Sequence, residues 1–355
     1  MKARCLILVT ILCTISINAL AQGLPTFWFG GGTIVGTVPT DPNITVVPVA
    51  VIPVALNITQ GGVLYSFDPT QTDSGCLPAS STALSLFSNS PFFGAMNISF
   101  NGVSEGVTQY LDAFQRAELA YVVPNHHTYL SAQTYPTLPI SLSVPAGGDP
   151  SVAIVQDVLA QCGNPGGTVN PQAKHATVAQ KIIDDNVRSY ISAHGIQPSQ
   201  LAFFLFYNTR FRGDGTSCCY VGYHGMLDGI ISLPGHTYAV AEFQGGNAFP
   251  SILDVSPISH ELAEWANDPS GQNPVPAWGN IGQVNGCQYN LEVGDPLTGT
   301  FAPSLTLNGF TYHFQELAFL SWFVGDHPSQ GAGGKYSSNG TFTGYAQPCP
   351  PGGTF

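Results

Sequence analysis

His260 and Glu264 lie four residues apart in the chain, and Glu261 stands beside the histidine. In a helix, positions i and i+4 sit one above the other on the same face. The pair could therefore grip one cation while Glu261 leans toward a water on it. The spacing is that of the H-E-x-x-H zinc hydrolases, with Glu in place of the second His. A hydrolytic zinc takes three protein ligands and keeps one position open for water, so one ligand must come from elsewhere. The segment Asn290-Leu291-Glu292-Val293-Gly294-Asp295-Pro296 offers Glu292 as first choice and Asp295 as second, and His224 is a third candidate. Asp268, at i+8, stands about 12 Å further along a helix, too far to share a cation with His260.

A helix must carry these groups. Ile258, Leu262, Trp265 and Ala266 recur at i, i+4, i+7 and i+8, a core-facing stripe. At about 100° per residue His260 and Glu264 fall opposite that stripe. Ser256 is the expected N-cap and Pro257 the first helical residue, and Asp268-Pro269 ends the helix because proline cannot continue the ladder. Upstream, periodicity predicts helices over 108–121, 151–160 and 176–193, the last closed by Gly195. Leu201–Tyr207 and Thr237–Phe243 read as strands, and 314–323 as a last helix. The β-branched run 44–59 is cut by Pro48 and Pro53, which suggests edge or short strands. The fold class is α+β: a β-rich N-terminal region over 22–145, then a metal-binding domain with a mixed sheet over 146–355, divided near the Pro-, Ser- and Gly-rich stretch 136–150.

Residues 1–21 read as a signal peptide, with Lys2 and Arg4 before an apolar run and Ala19-Leu20-Ala21 as the cleavage pattern. No later stretch reaches the roughly 18–20 apolar residues of a membrane span. The expected protein is secreted, with no membrane partner. Six cysteines follow the signal, enough for three disulfides. Adjacent Cys218 and Cys219 are expected to pair with different partners. Charged residues are only 8% of the chain and the net charge is −12, which disfavours nucleic acid and leaves metal cations as plausible partners.

Ser259-His-Glu-Leu-Ala-Glu, then Asn267-Asp-Pro, then Glu292-x-Gly-Asp295, resembles the pattern of a group of secreted bacterial and fungal zincin-like proteins. The surroundings of His224 and Asn339-Gly340 are similar to the plant Exordium or phosphate-induced proteins. The resemblance spans about Ser151 to Phe355. It implies a zincin-like domain with His260, Glu264 and Glu292 as metal ligands and Glu261 as general base. The expected activity is zinc-dependent hydrolysis of a peptide or protein, with the metal lowering the pKa of its water and Glu261 taking the proton. Two carboxylate ligands also admit harder cations, so Mn2+, Fe2+ and Ca2+ stand beside Zn2+. The rival function is a non-catalytic extracellular protein that binds cell-wall glycan and uses the metal structurally. His126 and His127 read as an exposed turn, and Glu242 as a solvent-facing strand residue.

Overall fold

The computed structural model describes residues 23–349 apart from 30, 74–75, 120, 158–159, 162–168, 171–173, 214–217, 228–234, 246–248 and 250–251. The expected signal peptide lies outside them. The fold is α+β, richer in strand than in helix. Its centre is a seven-stranded sheet built on one 17-residue strand, Ile44–Gln60. The first half of that strand pairs in parallel with His127–Thr134 on one flank and Leu201–Tyr207 on the other. The second half pairs with Leu138–Val144 in parallel and Val63–Phe67 antiparallel. Beyond Leu201–Tyr207 lie Thr237–Phe243 and, antiparallel at the edge, Gly222–Met226.

The prolines do not mark an edge. Pro53 sits where the flanking strand changes, between the last pair with one neighbour (Val51 and Thr134) and the first with the next (Val54 and Leu138). Pro48 precedes the onset of pairing with Leu201–Tyr207 at Val49. At both points a missing N–H costs little of the ladder.

Side chains alternate across this sheet, so each strand feeds two cores. Val47, Val49, Val51, Phe203, Leu205, Ala239 and Ala241 face one core, which also holds Ile258, Leu262 and Trp265 of the motif helix Ser256–Asn267. Ala50, Ile52, Val54, Phe204, Phe206 and Val240 face the other, covered by Ile183, Val187 and Ile191 of the helix Gln180–His194. The expected N-terminal and C-terminal regions thus meet in one sheet and share both cores. Burial on both faces explains the near-continuous apolar run Leu201–Tyr207.

Several local expectations change. The helix expected at 151–160 is the strand Ala153–Asp157, paired antiparallel with Lys174–Ala179, and the helix expected at 176–193 starts later, at Gln180. Gly195 closes it in the left-handed conformation, as the pattern indicated. Of 314–323 only Leu320–Val324 is helical. The helix expected over 108–121 spans Tyr110–Glu118. Cys218 and Cys219 pair with each other across a cis peptide bond, and Cys287 pairs with Cys349. The expectation for the vicinal pair assumed neighbours on opposite faces of a strand. His126 is buried, and His127 bonds Asp112 at 2.8 Å from a strand. Glu242 is buried on the face away from the motif helix, 3.9 Å from His175, and burial raises its pKa well above the usual carboxylate value.

Candidate metal centre

The motif helix packs under the strands Thr237–Phe243 and Gly222–Met226, and all twelve of its residues are buried. The face opposite the apolar stripe is therefore not solvated, and its polar groups must find partners inside the protein. Val255 rather than Ser256 is the N-cap, and Pro257 occupies the first turn, where a missing N–H is harmless. At the other end the Asp268 side chain turns away to accept hydrogen bonds from Gln272 and Asn273 N–H groups at 2.8 and 2.7 Å. Its carboxylate belongs to neither candidate metal group, although its charge acts on His224 and Glu292.

Three chain segments bring the remaining groups to this buried face. The helix supplies His260, Glu261 and Glu264. The edge strand supplies His224. After the hairpin formed by Pro274–Ile281 and Val284–Asn290, the chain returns with Glu292 and Asp295. All six side chains expected from sequence as ligand or base meet here. His260 Nε2 is 3.0 Å from Glu264 Oε1 and 3.3 Å from Asp295 Oδ1. His224 Nδ1 is 3.4 Å from Glu261 Oε2 and 3.6 Å from Glu264 Oε2, and its Nε2 is 4.0 Å from Glu292 Oε2. Two triads each bring one potential ligand atom per residue within 4.8 Å of one another: His260 with Glu261 and Glu264, and His224 with Glu264 and Glu292. Glu292 thus groups with His224, while Asp295 is the loop carboxylate nearest His260.

The outward nitrogens of both rings are already committed. His260 Nδ1 donates to Gln315 Oε1 at 3.2 Å, and Gln315 Nε2 donates to Gly294 O at 2.6 Å, which fixes the amide orientation. His224 Nε2 donates to Asp268 O at 3.0 Å. Neither acceptor can donate to a ring nitrogen in return, so each neutral ring points its lone pair inward. Glu264 Oε1 is further held by the N–H groups of Gly294 and Asp295 at 3.1 and 3.3 Å. Glutamines 283 and 288 hold the Asp295 carboxylate, and Asn290 holds Glu292.

The electrostatics are those of crowded buried anions. Burial opposes a charged His260, but the carboxylates of Glu264 and Asp295 outweigh it and raise its pKa well above the usual value. His224 is raised in the same way, its own burial overcome by Glu261 and Glu264. Burial first, then Glu264 and Asp295, pushes Glu292 well above the carboxylate range. Burial and Glu264 raise Asp295, against the pull of His260. Four carboxylates in one buried cluster call for compensating positive charge, and a donor set of imidazole nitrogen and carboxylate oxygen suits zinc or a harder divalent ion.

Sequence reasoning missed three residues. Gly222 and Gly294 let the backbone approach: a Cβ at Gly222 would stand 2.5 Å from Glu261 Cγ, and one at Gly294 2.6 Å from the His260 ring. The available signal was a glycine two residues before His224 and another between Glu292 and Asp295. Gln315 had no signal, because only the fold carries it to His260. Beside the cluster opens a cavity of about 250 Å³, with Val221, Phe249, Ile252 and Pro257 among its walls and His260 and Glu261 in its lining. No protein-family model matches the chain, and no curated protein or solved structure matches it.

Proposed function

We propose that this protein is a secreted, zincin-like metallohydrolase that cleaves peptide bonds. The observation that supports this most is the convergence of His260, Glu264, His224, Glu292 and Asp295 from three separate segments beside a cavity that Glu261 also lines. Structural metal sites are closed, whereas catalytic ones keep an open position for water or substrate. The cavity favours the catalytic reading over a structural metal in a glycan-binding protein.

His260 and Glu264 are the helix ligands, and the third ligand comes from the segment bearing Glu292 and Asp295. When bound, a divalent ion such as zinc polarises the scissile carbonyl and acidifies water. Glu261 faces the cavity, takes the proton of the attacking water and returns it to the leaving nitrogen. Gln315 and the Asp268 carbonyl keep both rings oriented, so no reorganisation is needed during reaction. The edge strand Gly222–Met226 passes Glu261 and ends the sheet among the described residues, a place where an extended substrate could add as a further strand. The apolar walls of the cavity suit an uncharged side chain of that substrate. Disulfides fit an oxidising compartment, and among the described residues no helix is long and apolar enough to cross a membrane.

The test combines elemental analysis of the purified protein with hydrolysis of an unbiased peptide library. Wild type should carry zinc, manganese, iron or calcium and cut peptides, and Glu261→Gln should keep the metal and lose the cutting. A protein that takes up none of these ions sinks the proposal, and a Glu261→Gln variant with full turnover removes the assigned base.

A further inference from the structure

We infer that the cluster holds two divalent cations bridged by Glu264, the second in a site formed by His224, Glu264 and Glu292. This goes beyond the single ion of the proposed hydrolase and rests on the reading that His260 and Glu264 bind metal. The two oxygens of Glu264 face different imidazoles: Oε1 stands 3.0 Å from His260 Nε2, and Oε2 stands 3.6 Å from His224 Nδ1. The two triads of potential ligands share only this carboxylate.

Three independent features agree. First, both imidazoles are preset as ligands, because Gln315 Oε1 and the Asp268 carbonyl each take the outward N–H and leave the inward nitrogen its lone pair. Second, the spacings are those of ligand atoms around an ion. Tetrahedral bonds of about 2.0–2.1 Å put neighbouring donor atoms about 3.3 Å apart. His260 Nε2 lies 3.0 Å from Glu264 Oε1 and His224 Nδ1 lies 3.6 Å from Glu264 Oε2, while Glu292 Oε2 stands 4.0 Å from the His224 ring at Nε2. Third, the cluster is rich in donors. Glu261, Glu264, Glu292 and Asp295 bring four carboxyl groups to two imidazoles, more protein ligands than the three that one catalytic ion with an open position takes. In two-metal sites a pair of ions can clamp both the attacking and the leaving group of a displacement; an ion held by His224, Glu264 and Glu292 would supply that chemistry here.

The deciding experiment loads the full-length protein with zinc, removes free metal by gel filtration and counts bound zinc per chain by elemental analysis and native mass spectrometry. Wild type should hold two equivalents, and His224→Ala and Glu292→Gln should each hold one. With Mn2+ in place of zinc, wild type should show the electron paramagnetic resonance of a coupled pair, and either variant that of an isolated ion. One equivalent in wild type overturns the second site and leaves the single-ion reading standing. No bound zinc or manganese overturns the paired site, and a protein that also takes up neither iron nor calcium overturns both. If His224→Ala does not fold, the wild-type count and Glu292→Gln still decide.

Discussion

Gly294→Ala tests the assembly of the centre with a single methyl group. The backbone at Gly294 has φ −87° and ψ −36°, values that alanine adopts freely, so the substitution brings no conformational penalty. What it brings is a Cβ 2.6 Å from His260 Cγ and Nδ1 and 2.8 Å from Cδ2. Carbon atoms rest at about 3.5–4.0 Å, so the ring or the loop must retreat by about 1 Å. Neither can do so freely. Gln315 binds His260 on one side and the Gly294 carbonyl on the other, and Glu264 binds the Gly294 and Asp295 N–H groups. Metal–ligand distances tolerate only about 0.2 Å. The expected cost is about 1–3 kcal/mol of stability, typical of overpacking, and a loss of metal affinity of at least about 100-fold, the upper end for a displaced supporting group. Competition with a chromophoric chelator reads the affinity, and thermal melts with and without zinc read the stability. Gly147→Ala, where a Cβ meets nothing within 4 Å, is the control. If Gly294→Ala binds zinc as tightly as wild type, the close approach of this loop to His260 is refuted.

Gln315→Met keeps length but loses the acceptor for His260 and the donor to Gly294, and should weaken zinc binding about 10–100-fold without changing the stoichiometry at saturating zinc; chelator competition at unchanged affinity would remove its positioning role. Burial pushes the Glu118 carboxyl from 4.5 up to about 8, with Leu320 N–H donating to it. A folded pKa above the unfolded one means stability is full below pH 4.5 and falls as pH rises toward 8. On a scale of about 1.4 kcal/mol per unit the loss is a few kcal/mol. Denaturant melts of Glu118→Gln should show a flatter profile across that window, and an unchanged slope would contradict the assignment. His313 gains a 2.5 Å bond to Asp254, which raises its pKa against burial. This contribution is intact below the ordinary histidine value of about 6.5 and is lost as pH climbs through the raised one. In His313→Gln, melts above pH 6.5 should therefore lose part of their pH dependence; a profile identical to wild type would show that the pair contributes nothing.

The motif helix was legible because everything that defines it is local: an apolar stripe, a proline in its first turn and an Asp-Pro stop within a dozen residues. The strand Leu201–Tyr207 and the Gly195 cap were legible for the same reason. The expected ligands outside the helix could be named only as alternatives, because their approach depends on pairing. His224 reaches the helix through an edge strand, and Glu292 and Asp295 through a hairpin whose return no short pattern encodes. Misread elements share a cause. In 151–160, Ala153, Ile154 and Val155 fit a helical stripe as well as a strand, and the partner strand decides. Pro48 and Pro53 looked like edge markers because the ladder gap that accommodates each is made by distant strands.

The long strand Ile44–Gln60 also determines what a protease could do to this molecule. The turn after Leu138–Val144 is exposed at Pro145, Ala146 and Gly147, an inviting place for a cut. Yet cutting there would not release a removable pro-segment. The upstream piece carries Val47, Val49, Val51, Ile52, Val54, Leu56 and Ile58, all buried in cores that the downstream piece completes. Each such side chain is worth about 1.5–3 kcal/mol, against a net stability of about 5–15 kcal/mol for a typical domain. A nicked chain would persist as a two-fragment complex with its centre assembled, and prising the fragments apart would amount to unfolding the protein.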